Sequence, residues 1–478
     1  MLHPDRRSVV RAGCRSRYCR RSSTAFLRHV PGRIRLQQQR LLEYGSPDHF
    51  RAVHHRLGYE LEDWAPKTSA FGADPVPRRG ARGALVGVLT LLSANFTAEL
   101  ATMLPKAGGA YVYARRAYGE YGGFVVGWSI WLLNTMSLSF IAIVFGEYAA
   151  ALFAPDFSGG VIVFSISILV LMTAVNWIGV RSGSETQKIT SLLKASALLA
   201  FVAACFIFGG QIHSTDAAQT VVPVHESSFS AFVAFIFAYQ LVRSTYGGWD
   251  TVINFAEEDR DPSRNIPRSL FFGVLLIIVI YLLVNLALLY VLSVPQLAAS
   301  KFAAADAMSL IFGERSAQIL TALALLSIIG IINAHLMFVP RVMFALGRDG
   351  MSSANAATVN AGGTPIFALA FTVIPAIVLA SVSTFEKLLA IGEFFVITVD
   401  ILLIGSLFIL RRREPDLPRP FRTWGYPWTP LILLLISLAI FVGYIVGNPT
   451  DSLYAIAALV ASYPIFLWVK RRGNYKSI

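Results

Sequence analysis

Residues 270–292 read LFFGVLLIIVIYLLVNLALLYVL, a stretch that carries no charged side chain. About 20 apolar residues in a helix cross the ~30 Å hydrocarbon core of a bilayer, and this run is long enough to do so. Working outward from it, runs of the same kind recur on both sides. Spans are expected at 83–104, 122–152, 160–180, 186–210, 229–255, 270–292, 317–346, 364–384, 388–410, 428–447 and 452–469. Each is expected to be helical, because a segment in lipid must satisfy its backbone N–H and C=O groups internally. Composition agrees: 55% of the 478 residues are hydrophobic and 14% charged, against about 25% charged in soluble proteins. The fold class is all-α and polytopic, with eleven spans.

The net charge of +13 is unevenly placed. Residues 1–82 hold 17 Lys+Arg and 7 Asp+Glu, whereas residues 83–478 hold 24 and 21. Of those 24 basic residues, 19 fall in alternate loops and the C-terminus, 3 in the opposite loops, and Lys194 and Arg243 inside spans. Positive charge marks the cytoplasmic side, so the C-terminus is expected there, in the plasma (cell inner) membrane. The same count puts residues 1–82 outside, although their own charge would favour the inside. Cys14, Cys19 and Cys205 form neither a disulfide framework nor a metal-ligand spacing.

Several motifs follow one another in order. Glu99 to Tyr113 reads ELATMLPKAGGAYVY, and Gly127-Trp128 follows in the next span. Tyr246 to Leu270 reads YGGWDTVINFAEEDRDPSRNIPRSL, Arg341 to Gly350 reads RVMFALGRDG, and Arg411 to Pro430 reads RRREPDLPRPFRTWGYPWTP. Together they resemble the amino acid–polyamine–organocation superfamily of permeases, especially its L-type amino acid transporter-like members. The resemblance implies a LeuT-like fold of two inverted five-helix repeats plus two helices, with substrate bound at the broken first helix of each repeat. The eleven spans match family helices two to twelve, and the family's first, glycine-rich helix has no counterpart. The chain then divides into a basic, atypical N-terminal segment (1–82), a membrane permease domain (83–470) and a cytoplasmic tail (471–478). Residues 1–82 match nothing in the family. They are read as a misjoined or out-of-frame N-terminus, or as that of a truncated paralogue, with a transit peptide or nucleic-acid tail as lesser readings.

Tyr246-Gly247-Gly248-Trp249 lies inside the fifth span. Paired glycines weaken a helix, and irregular backbone at membrane depth is tolerated where it is buried or lines a cavity. Freed carbonyls there would suit a substrate ammonium; the other reading is that the glycines permit close helix packing. The resemblance favours the break and implies a substrate site at Ser244, Thr245, Tyr246, Gly247, Gly248 and Trp249. Ser244 stands where L-type relatives carry a bulky aromatic gate. Lys194, in ITSLLKASALLAF, needs a partner or water inside a membrane. It is either a proton-coupling residue, as the resemblance implies, or a lysine snorkelling from two turns inside its helix. Arg243 has Glu147 and Glu393 as possible charge partners, and the structural pair is preferred over a role in binding acidic substrates. Glu393 and Asp400, seven residues apart, share a helix face. Glu99 and Asp250 are placed at solvated or broken helix ends, and Asn333, near His335, as a possible cavity-lining residue. The charged stretch Glu257–Arg268 is expected to be a salt-bridged loop that closes the inner face, and Lys106–Tyr113 a tight basic turn.

No Gly-x-x-x-x-Gly-Lys loop and no His-Glu-x-x-His motif occurs, so neither ATP hydrolysis nor intramembrane enzyme chemistry is indicated. The expected function is secondary active transport of an amino acid by alternating access, proton-coupled or by exchange. The competing reading is a degenerate, non-transporting permease that lacks half its site. Expected partners are the bilayer and a small-molecule amino acid, neutral by the resemblance, with cationic amino acids or polyamines as the alternative. No cofactor, metal or nucleic acid is expected, nor a disulfide-linked heavy chain, because no cysteine falls in an outside loop.

Overall fold

The computed structural model describes residues 76–211, 242–243, 245–293, 296–297, 300 and 303–472. Among them there is no strand. In chain order the helices are α1 (Val76–Met103), α2 (Ala110–Tyr118), α3 (Glu120–Phe153), α4 (Gly160–Ile178), α5 (Val180–Phe208), α6 (Pro262–Val291), α7 (Ala303–Phe312), α8 (Glu314–Arg348), α9 (Ile366–Val382), α10 (Phe385–Arg413), α11 (Trp428–Gly447) and α12 (Pro449–Arg472). Nine of the described helices are long and apolar enough to cross a bilayer: α1, α3, α4, α5, α6, α8, α10, α11 and α12. The protein is an all-α polytopic membrane protein. The span expected at 364–384 is α9, which has only 17 residues and so measures about 26 Å at 1.5 Å per residue.

Local sequence sets the boundaries. Pro262 opens α6 at a position where its missing N–H costs no helical bond. Thr384 caps α10, its hydroxyl accepting from the Lys387 N–H. α1 opens at Val76, inside the stretch set apart by composition as 1–82; residues 1–75 lie outside the described residues. α5 begins at Val180, six residues before the expected start. Lys194 is therefore about four turns into its helix, not two.

Two helices lack the apolar length that marks a span and were not expected. α2 is a nine-residue helix in the turn after α1, and its Tyr111, Tyr113 and Ala114 are buried. α7 is ten residues between α6 and α8. The span expected over 229–255 also differs: helix stops at Thr245, residues 246–250 are turns, and Thr251–Phe255 is a 3-10 helix.

Packing is pairwise. α1 lies along α6, α3 contacts α4, α8 and α10, and α5 lies on α8. A large core cluster joins α1, α2, α6, α10 and α11 around Leu100, Leu270, Ile404 and Leu433, and it takes in Tyr246 and Ile253 from the broken segment. Trp177, Trp424, Trp428 and Trp468 are all about half exposed or more. Trp177, Trp428 and Trp468 sit near helix ends and Trp424 in the turn before α11, all next to basic loops, as an interfacial aromatic belt requires.

Candidate functional site

The break begins where α-helical bonding stops being available. Tyr246 N–H turns back to the Arg243 carbonyl at 3.0 Å, and Thr251 donates to the Gly248 carbonyl through both its N–H (3.3 Å) and its hydroxyl (2.9 Å). Gly248 holds φ +92°, a conformation that L-residues rarely adopt. A Cβ built there meets nothing within 4 Å, so backbone geometry rather than crowding selects glycine.

The carbonyls around the break divide into two groups. Val242's accepts from the Thr245 hydroxyl at 2.6 Å, and Thr245's accepts from the Tyr281 hydroxyl of α6, also at 2.6 Å. Asp250's accepts from the Ile253 N–H. Among the described residues, nothing donates to the carbonyls of Gly247 and Trp249. Thr245, Gly247 and Gly248 are exposed, Trp249 is half-buried and Tyr246 is buried. The Tyr246 ring meets Tyr281 edge-on at 5.2 Å. A helix end with open carbonyls can accept hydrogen bonds from a cationic amine. Ser244 lies outside the described residues.

Charge is organised on the N-terminal side of the break. Arg243 donates to Asp400 and, at 3.5 Å, to Glu393, both on α10. Glu147 is exposed on α3, and the carboxylates that engage Arg243 are those of α10. Sequence reasoning missed Asp400 as a partner, although its seven-residue spacing from Glu393 carried the signal. Lys194 is exposed on α5 and makes no ion pair or hydrogen bond among the described residues. Asn333 is fully buried. Its amide nitrogen donates to the Gly183 carbonyl (2.9 Å) and Gln187 (3.1 Å), and its oxygen accepts from Asn176 (2.9 Å), which ties α8 to α4 and α5.

Beyond the break, the chain is fastened to its neighbours. Glu257 accepts from the Ala107 N–H at 2.9 Å and from Arg348 at 3.0 and 3.1 Å. The Ala107 N–H, followed by Arg348, holds its carboxyl below the ordinary range. Arg341 donates to Glu258 at 2.9 Å and lies 4.4 Å above the Phe255 ring. On α2, Arg115 and Tyr111 both reach Asp349 just after α8, at 2.5 and 2.8 Å. Gly109 (φ +48°) presses against the 3-10 helix, where an added Cβ would lie 2.7 Å from Ile253. Tyr113 was also missed. It is fully buried, its hydroxyl has no hydrogen-bond partner among the described residues, and burial with the nearby Asp250 charge raises its pKa.

A second clamp belongs to the scaffold. Glu99 was expected at a solvated end, but it is completely buried. Arg411 grips it with two bonds (2.8 and 2.6 Å), the Thr423 N–H adds a third at 2.7 Å, and Arg419 lies at 3.4 Å. Asn95 pairs both ways with the Trp424 backbone, each bond 3.0 Å. The RRREPDLPRPFRTW stretch is thereby fixed onto α1.

A broken helix inside a bundle of membrane spans, with these motifs in this order, is matched over residues 82–466 by the amino acid permease family. The chain belongs to that family. The permease is 27% identical over 401 residues to the serine/threonine exchanger SteT of Bacillus subtilis (strain 168), covering 81% of this chain and 87% of that one. It is 26% identical over 404 residues to the b(0,+)-type amino acid transporter 1 of Mus musculus, covering 81% and 80%. It is 27% identical over 399 residues to the large neutral amino acids transporter small subunit 2 of Homo sapiens, covering 80% and 72%. These are permeases and transporters rather than enzymes, and the L-type-like resemblance read from the motifs holds.

Proposed function

We propose that this permease carries a neutral amino acid across the cell membrane by alternating access, as an exchanger or coupled to protons. The observation that carries the reading is the helix break at Tyr246–Asp250, where the Gly247 and Trp249 carbonyls stand open among the described residues. Those carbonyls would receive the substrate ammonium, with Thr245 to Trp249, and Ser244 beside them, forming one wall of the site. The names of two relatives, a serine/threonine exchanger and a large neutral amino acid transporter, support small or neutral substrates, and the first supports exchange. Lys194 is the residue proposed to carry a coupled proton. Asn333, with its amide groups taken up by protein partners, is proposed to brace α8 rather than to touch substrate.

The contacts of Glu257 and Glu258 with Ala107, Arg348 and Arg341 would be the gate on the basic face, which charge bias assigns to the cytoplasm together with the C-terminus. Cys205 is buried on α5, which supports an absence of any disulfide-linked partner on the permease domain.

Counterflow in proteoliposomes tests the reading. Vesicles loaded with unlabelled serine or leucine should accumulate the labelled amino acid, and vesicles loaded with arginine or putrescine should not. Vesicles that take up none of these in any mode would refute transport and leave the degenerate-permease reading.

A further inference from the structure

The face between α1, α6 and the start of α11 holds a groove of about 310 Å³, lined by Leu91, Leu92, Phe271, Trp424 and Gly425, with Asn95 and Thr429 as its polar members. Asn95 spends its amide on the Trp424 backbone, and the Thr429 hydroxyl donates to the Trp424 carbonyl, so the lining offers hydrocarbon and aromatic surface. Phe271 stacks on Trp424 with centroids 5.0 Å apart, and Phe421 closes the cluster at 5.8 and 5.6 Å from them. Arg264, Arg268 and Phe271 share one face of α6 by their spacing, and Arg422 sits between Phe421 and Trp424 in sequence. All three arginines are exposed, and no carboxylate among the described residues pairs with their guanidiniums. Along α6, Arg268 stands about 5 Å nearer the helix start than Phe271, which is about the depth of a headgroup layer beyond the hydrocarbon core.

We infer that this groove is a binding site for an anionic phospholipid: one acyl chain lies in the Leu91–Phe271–Trp424 groove, and the phosphate is held by Arg268 and Arg422, with Arg264 beside them. The bilayer supplies the apolar occupant, because the groove lies between three spans. The charge selects the headgroup, since unpaired basic residues at a helix–membrane boundary favour anionic lipid. The site does not depend on the transport reading.

Native mass spectrometry of the full chain in detergent tests it, with phosphatidylglycerol and phosphatidylcholine of identical acyl chains. The wild type should retain phosphatidylglycerol at least about tenfold more tightly, and inorganic phosphate should not displace it. Arg268→Gln with Arg422→Gln should reduce the preference below about twofold, and Arg268→Lys with Arg422→Lys should restore most of it. Leu92→Trp, which fills the groove and spares the arginines, should weaken both lipids, and a thermal melt checks that each variant is folded. Equal retention of the two lipids by the wild type would overturn the inference, as would an unchanged preference in the double glutamine variant. Displacement by phosphate alone would replace the lipid with a free anion and overturn it equally.

Discussion

Arg243, three residues before the break, is in direct contact with Asp400 near the middle of α10, and Glu393 accepts from the same guanidinium at 3.5 Å. A single cation thus holds two carboxylates and fixes the N-terminal edge of the break to α10. Removing it leaves a buried and a partly buried carboxylate facing one another. Arg243→Gln should therefore lower thermal stability. A double-mutant cycle with Asp400→Asn should return a coupling of about 1–3 kcal/mol. Substrate selectivity should not change; gain or loss of acidic amino acid uptake in Arg243→Gln would show that the arginine touches substrate.

Glu99 is completely buried against Arg411 and the Thr423 N–H. Breaking one side of a buried pair costs about 3–5 kcal/mol, because the other charge is stranded. Glu99→Gln should show a large drop in melting temperature, and Asn95→Ala a smaller one of about 1 kcal/mol for its hydrogen bonds. A Glu99→Gln melt within a degree of the wild type would contradict the clamp.

Glu257 would give the proposed gate a pH dependence. The Ala107 N–H and then Arg348 hold its carboxyl below the ordinary range. Such a group contributes fully above its unfolded value of about 4.3 and loses the contribution as pH falls through the lower folded value. Accessibility of a cysteine introduced on the basic face beside Ala107 should be flat from pH 8 to about pH 5 and rise only in stronger acid. Glu257→Gln should be open to labelling across that range.

Gly248 at φ +92° carries a backbone penalty of about 1–2 kcal/mol for any L-residue. Gly248→Ala should reduce maximal uptake by roughly tenfold with little change in expression, since no neighbour crowds the new methyl. Gly109→Ala should be worse for folding, because its methyl would run into Ile253. Equal uptake by Gly248→Ala and wild type would mean that the bend does not matter to transport.

Lys194 offers a separate readout. Replacing it with Gln should abolish uptake driven by a proton gradient while counterflow exchange persists. Loss of both together, with an intact melt, would give Lys194 a part in binding rather than in coupling.

The spans were legible in the sequence because lipid imposes a one-dimensional rule: a helix must be apolar for about 20 residues, whatever it packs against. The run at 270–292 became α6 and that at 428–447 became α11. The glycine pair also marked the place where the fifth span breaks, since helix propensity is local. Other features depend on which helices become neighbours, and sequence order does not encode that directly. Asp400 rather than Glu147 meets Arg243, Asn333 is absorbed into a knot of amides, and Glu99 is enclosed by a loop more than 300 residues away. Polar groups in a dry interior take whatever partner the packing brings within reach, so composition and period alone could name these residues while only the tertiary structure could pair them.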